Sequence, residues 1–191
     1  TATIRRAKEQ CWALYGRDVM QFPPSGIVFS DNYFSKEDRE DPGRLYVGVM
    51  PTASSSFITG QVRFVSALLE GADFLRIKNG DAGIRDGYWT LLQYFNSLRE
   101  LGRAATLIQQ DIAEWLRSRA QSRGVFYCRP TGNFRELNSR TRGQDIPAVL
   151  EQLGNTLGGA LSGESGSPID LVLATNMISV GGDVQRLGLL N

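Results

Sequence analysis

Residues Ile169 to Leu190 read IDLVLATNMISVGGDVQRLGLL. Ile169 to Ala174 is a nearly continuous apolar run, the kind of strand that is covered on both faces of a parallel sheet. Directly behind it stand Thr175, Asn176, Ser179, Gly181, Gly182 and Asp183, a dense set of hydroxyls, flexible backbone and one carboxylate. In an open parallel sheet, ligands sit at the carboxyl ends of the strands. A hydroxyl placed there can donate to a phosphate, a glycine lets backbone approach a ligand, and an aspartate can accept from ribose hydroxyls.

Working back from this strand, the chain alternates between the two periods of regular structure. Phe134 to Leu137 reads as a strand and leads to a helix marked by Ile146, Val149, Leu150 and Leu153, with Asp145 as its cap and Pro147 in its first turn. Trp89 to Phe95 (WTLLQYF) reads as a buried strand, and Leu98, Leu101, Ala105, Ile108, Ile112 and Trp115 then step at helical spacing. Arg44 to Met50 (RLYVGVM) has the β-branched and aromatic content of a strand, and Ile58, Val62, Val65 and Leu69 predict the helix after it. Gly154 to Ser167 is rich in Gly and Ser and reads as a flexible loop. The resulting class is α/β with a mainly parallel sheet flanked by helices. At the start of the chain, Ile4, Ala7, Cys11, Leu14 and Tyr15 predict a short helix with one buried face, ended by Gly16. Gln21 to Gly43, with its prolines and the charged run Lys36 to Glu40, reads as a linker with room for one strand at Gly26 to Phe29.

Composition narrows the function classes. The 191 residues suit one domain, or one domain with an appendage. A net charge of +1 gives no bulk attraction to polyanions, so any nucleic-acid contact must rest on locally placed donors. The chain has no histidine, which removes Ser-His-Asp hydrolysis and His-ligated zinc. The cysteines, Cys11 and Cys128, form no C-x-x-C pattern, so no metal site is expected and a reducing cytoplasm fits. No run approaches the roughly 20 apolar residues of a membrane span. Trp12, Trp89 and Trp115 are expected in the core. The chain opens at Thr1 without Met and closes at LGLLN on an apolar strand-like run, so a fragment is the expectation.

Ala174-Thr175, with Gly181 and Asp183 at their spacing, resemble motif V of the superfamily-2 helicases. Thr1-Ala2-Thr3 is similar to their motif III, Tyr94 to Gly102 (YFNSLRELG) to motif IV, and Glu136 to Arg142 (ELNSRTR) to the segment between motifs IV and V. The wording is most like a branch that serves antiphage defence. The resemblance implies the second RecA-like lobe of an ATP-dependent DNA motor, cut short after motif V. Residues 1–43 would close the first lobe and form the linker, and residues 44–191 would be the second lobe. Thr175, Ser139, Arg140, Asn96, Ser97 and Arg99 would hold the nucleic-acid backbone. Gly181 and Asp183 would face ATP, and Thr1, Ala2 and Thr3 would couple hydrolysis to movement. ATP and Mg2+ would be bound mainly by the first lobe, because no G-x-x-x-x-G-K-[ST] loop, no Asp-Glu metal motif and no arginine-bearing motif VI is found here, and no catalytic residue is expected in this chain. DNA and a partner subunit of a defence complex would be the partners, with no membrane involved. Gly182 departs from the pattern, standing where the family has Val or Ile, and should loosen the packing around Asp183. The alternatives are a non-enzymatic RecA-like module that docks a partner subunit or nucleic acid and, less well matched, a small nucleotide-binding α/β enzyme.

Overall fold

The computed structural model describes residues 6–20, 22, 27–28, 33–34, 36–40, 43–52, 54, 56–79, 82–163, 166–175, 184 and 186–191. It divides into two compact units, Thr1–Met50 and Pro51–Asn191.

In the first unit, helix α1 (Ala7–Tyr15) ends at Gly16, whose φ of 61° suits a glycine and whose N–H closes on the Trp12 carbonyl at 2.8 Å. The expected buried face is not formed. No residue of α1 is buried, and Trp12, expected in the core, is 59% exposed. Helical spacing fixes which residues share a face, but burial needs an apolar surface to pack on. Arg44 to Met50, expected as a strand, forms none, and Leu45, Tyr46 and Met50 lie more than four-fifths exposed. Its residues favour extended backbone, yet among the described residues no strand pairs with it, and β-propensity expresses itself only through cross-strand neighbours. The expected strand at 26–29 falls partly outside the described residues.

The second unit is built on a four-stranded sheet. Its strands are β1 (Leu91–Tyr94), β2 (Phe134–Leu137), β3 (Leu171–Ala174) and β4 (Leu189–Leu190), in the spatial order β2-β3-β1-β4. Every pair is parallel, as the alternation of periods requires. Side-chain alternation then assigns the two faces. Leu91, Leu171 and Leu173 meet Val65 and Leu69 of α2 (Phe57–Asn79), which the short α3 (Ala82–Gly87) follows in the chain, and Leu101, Ile108, Ile112 and Leu116. Those last residues lie on one continuous helix made of α4 (Leu98–Leu107), a π turn (Ile108–Ile112) and α5 (Ala113–Ser122). Leu92, Val172, Ala174 and Leu137 face the other way, onto Leu153 of α6 (Ile146–Leu153) and the partly buried Val149 and Leu150. β3 is buried at all four positions, which explains its unbroken apolar reading. Glu70 of α2 ties the first layer together through Arg119 at 3.0 Å and through Arg123.

Two local expectations are corrected. Asp145 occupies the N-cap of α6 but its carboxylate makes no capping bond, since its backbone is already helical. Within the Gly/Ser-rich stretch a further helix, α7 (Leu157–Ser162), forms. Thr156 accepts from Gly159 N–H at 2.9 Å, and the Asp86 carboxylate accepts from Leu157 N–H at 2.7 Å. Two of the four orphan donors at its start are thereby satisfied, offsetting the poor helix propensity of its glycines.

Candidate nucleic-acid interface

All candidate residues that the structure describes leave the sheet from one edge. Tyr94, Ala174 and Leu137 are in register at the ends of β1, β3 and β2. The ladder runs one step further, with Phe95 N–H on the Ala174 carbonyl at 2.8 Å and Thr175 N–H on the Leu137 carbonyl at 3.1 Å. Thr175 therefore emerges from the central strand, half-buried. Asn96 to Arg99 emerge on one side and Asn138 to Arg140 on the other, each one strand spacing of about 4.8 Å away.

The side chains differ in what they leave free. Ser97 has extended backbone and its Oγ accepts from Glu100 N–H at 3.3 Å, so it caps α4 and its oxygen is already engaged there. Asn96, Arg99, Ser139 and Arg140 are exposed. No ion pair engages the guanidinium of Arg99 or Arg140 among the described residues. Thr1, Ala2, Thr3, Gly181 and Asp183 lie outside the described residues. Among the described residues, no three His, Cys, Asp or Glu side chains converge as a metal site would require.

Motif reading passed over the residue that organises this edge. Asn138 is 5% exposed, and its amide spans the turn after β2. Its Oδ1 accepts from Arg140 N–H at 2.9 Å while Nδ2 donates to Glu136 Oε2 at 3.2 Å. Thr141 closes the same turn, its Oγ1 accepting from Asn138 N–H at 3.0 Å and its own N–H reaching the Asn138 carbonyl at 2.9 Å. An Asn directly after a strand is a turn signal, so the clue was in the sequence. Between this turn and α4 lies a cleft of about 230 Å3, lined by Leu98, Leu101 and Gly102 on one wall and Glu136, Asn138, Arg140 and Thr141 on the other.

The opposite edge of the sheet carries a second polar network, also missed. Arg186 donates through Nε to Asp86 Oδ2 at 2.9 Å and through Nη2 to Asp86 Oδ1 at 2.8 Å, a bidentate pair whose side chains are only 10% and 16% exposed. Its Nη1 donates to Thr90 Oγ1 and to the Leu153 carbonyl, both at 3.1 Å. Nearby, the guanidinium of Arg129 is buried over the ring of Trp89, 4.0 Å from its centroid, and donates to the Leu69 and Trp89 carbonyls. Trp89 is thus core, as expected, and Trp115 packs partly buried against the core beneath Arg63. The Arg186 and Arg129 guanidinium groups are turned onto Asp86, backbone carbonyls and the Trp89 ring, which suits a structural clamp rather than a binding site. Among the described residues no helix is long and apolar enough to cross a membrane.

No family model matches the chain. Over 193 aligned positions it is 39% identical to the DISARM protein DrmA of Bacillus paralicheniformis, an alignment that takes in 100% of this chain and 16% of that protein's length. From end to end, then, this chain is DrmA-like in sequence, and its α/β parallel sheet is the fold expected for a RecA-like lobe.

Proposed function

We propose that residues 51–191 form the second RecA-like lobe of a superfamily-2 DNA motor that works in antiphage defence in the cytoplasm, and that the carboxyl edge of the sheet grips one DNA strand. The observation that carries this reading is the common exit of Thr175, Asn96 to Arg99 and Ser139 to Arg140 from three parallel strands in register. Hydroxyls, an amide and exposed guanidinium groups on one edge form a donor-rich row, and phosphodiester oxygens are its natural acceptors. Arg99 and Arg140 supply charge, Thr175 and Ser139 supply hydroxyls, and Ser97 holds the helix start that presents Arg99.

ATP and Mg2+ would be bound mainly by residues outside this chain, with Gly181 and Asp183 facing the nucleotide. ATP would supply the energy for closing and reopening two lobes around the strand. Within this lobe the work is to bind and orient backbone.

The test is binding of single-stranded DNA by the full-length protein over a salt series. Thr175→Ala and Ser139→Ala should weaken binding with little sequence preference and leave its salt slope as it was, because neither removes a charge. Unchanged affinity in both variants would take the grip away from this edge and favour a module that docks a protein partner.

A further inference from the structure

We infer that the cleft beside Gly102 is a subsite for one sugar–phosphate unit of the bound single strand, with the phosphate at the Arg140 rim and the sugar over the Gly102 backbone. This deepens the grip reading and rests on it. The first observation is the glycine itself. Gly102 sits inside α4, where glycine lowers helix stability relative to alanine. Among the described residues nothing requires it there: a Cβ at Gly102 would meet none of their atoms within 4 Å. What a longer side chain would do is occupy the cleft.

The second observation is the opposite wall. The buried amide of Asn138, bonded to both Glu136 and Arg140 N–H, fixes the turn, so the cleft is preformed. Its volume of about 230 Å3 lies below the roughly 300–1,000 Å3 of pockets that enclose a whole ligand. A fragment of a longer chain fits that size. Charge sets the direction. Glu136 lines the cleft with its carboxylate held by Asn138, and a phosphate beside it would be repelled. The anionic group therefore lies at the exposed Arg140 side, and the uncharged sugar lies toward Leu98 and Gly102.

The experiment measures binding of a fluorescent oligothymidylate by the full-length protein, alongside its melting temperature. Gly102→Gln should weaken binding about tenfold, equivalent to about 1.4 kcal/mol, with the melting temperature unchanged or raised. Arg140→Ala should lower the salt slope by about one, and the Gly102→Gln/Arg140→Ala double variant should bind no more weakly than the worse single, because both act on one subsite. Glu136→Gln should bind as tightly as wild type or tighter. Wild-type affinity in Gly102→Gln, strictly additive losses, a lowered melting temperature in Gly102→Gln, or weaker binding by Glu136→Gln would each overturn the subsite while leaving the Thr175 grip standing. Failure of the wild-type protein to bind the oligonucleotide would instead remove the grip reading beneath it.

Discussion

Arg186 shows how one side chain can hold a chain segment in the sheet. It closes a bidentate pair with Asp86 and adds bonds to Thr90 and the Leu153 carbonyl, so it pins residues 186–188 where the chain passes to β4. Gly188 helps at the same place, since a Cβ there would come within 2.9 Å of the Gly87 carbonyl oxygen. Removing one member of a buried ion pair strands the other, at a cost of about 3–5 kcal/mol. Arg186→Met should therefore lower unfolding stability in urea by about 3 kcal/mol, and Asp86→Leu/Arg186→Met should recover part of the loss. A loss of at most about 1 kcal/mol, the scale of a surface pair, would show that this network does not hold the fold. None of it was legible in the sequence. Asp86 and Arg186 are 100 residues apart, and a pairing at that separation has no local period or motif to announce it. Asn138 was legible as a turn residue, but its neighbours Ser139 and Arg140 drew attention because they matched a motif.

At the scale of the element, the long helix from Leu98 to Ser122 has a turn that spacing alone explains. Ile108, Ile112 and Leu116, all buried, follow one another at steps of four residues. In an α-helix of 3.6 residues per turn each such step drifts by about 40° around the axis, so two of them would carry Leu116 away from the sheet. The wider π turn at Ile108–Ile112 absorbs that drift and keeps all three on the core face. The register is consequently sensitive in one direction. Inserting one alanine after Gln110 should rotate Ile112 and Leu116 by about 100° and lose at least the 2–5 kcal/mol, roughly, of a deleted core side chain. Deleting Gln110 should let the turn revert to α with a much smaller loss in thermal melts. Equal losses from the two changes would show that the π turn is not what sets the register. The sequence made this helix plain, because its period runs for about five turns. It did not reveal the π turn, whose signal is a small phase drift. Nor did it reveal α7, whose glycines read as a loop until Thr156 and Asp86 are seen to cap it.

For the whole molecule, the legible part is the second unit and the illegible part is the first. In Pro51–Asn191 each predicted strand has a neighbour and each amphipathic face a layer to cover, so local preference and tertiary packing agree. In Thr1–Met50 the periods of α1 and of Arg44 to Met50 are equally clear, but the described residues bury no face of either. Net charge adds a constraint at this scale. With a formal charge of +1 the chain has little long-range field, so grip on a polyanion must come from charges within contact range of it. Arg99 and Arg117 make a matched pair for testing this. Both are exposed on the same long helix, one at its start beside the carboxyl edge and one near its far end. Eighteen residues at 1.5 Å each separate them by about 27 Å, roughly three times the Debye length of about 8 Å at physiological salt. Arg99→Ala should therefore weaken single-stranded DNA binding and lower its salt slope by about one, while Arg117→Ala should change neither. Equal effects from both would mean that a diffuse basic surface does the gripping, and the carboxyl edge would lose its special place.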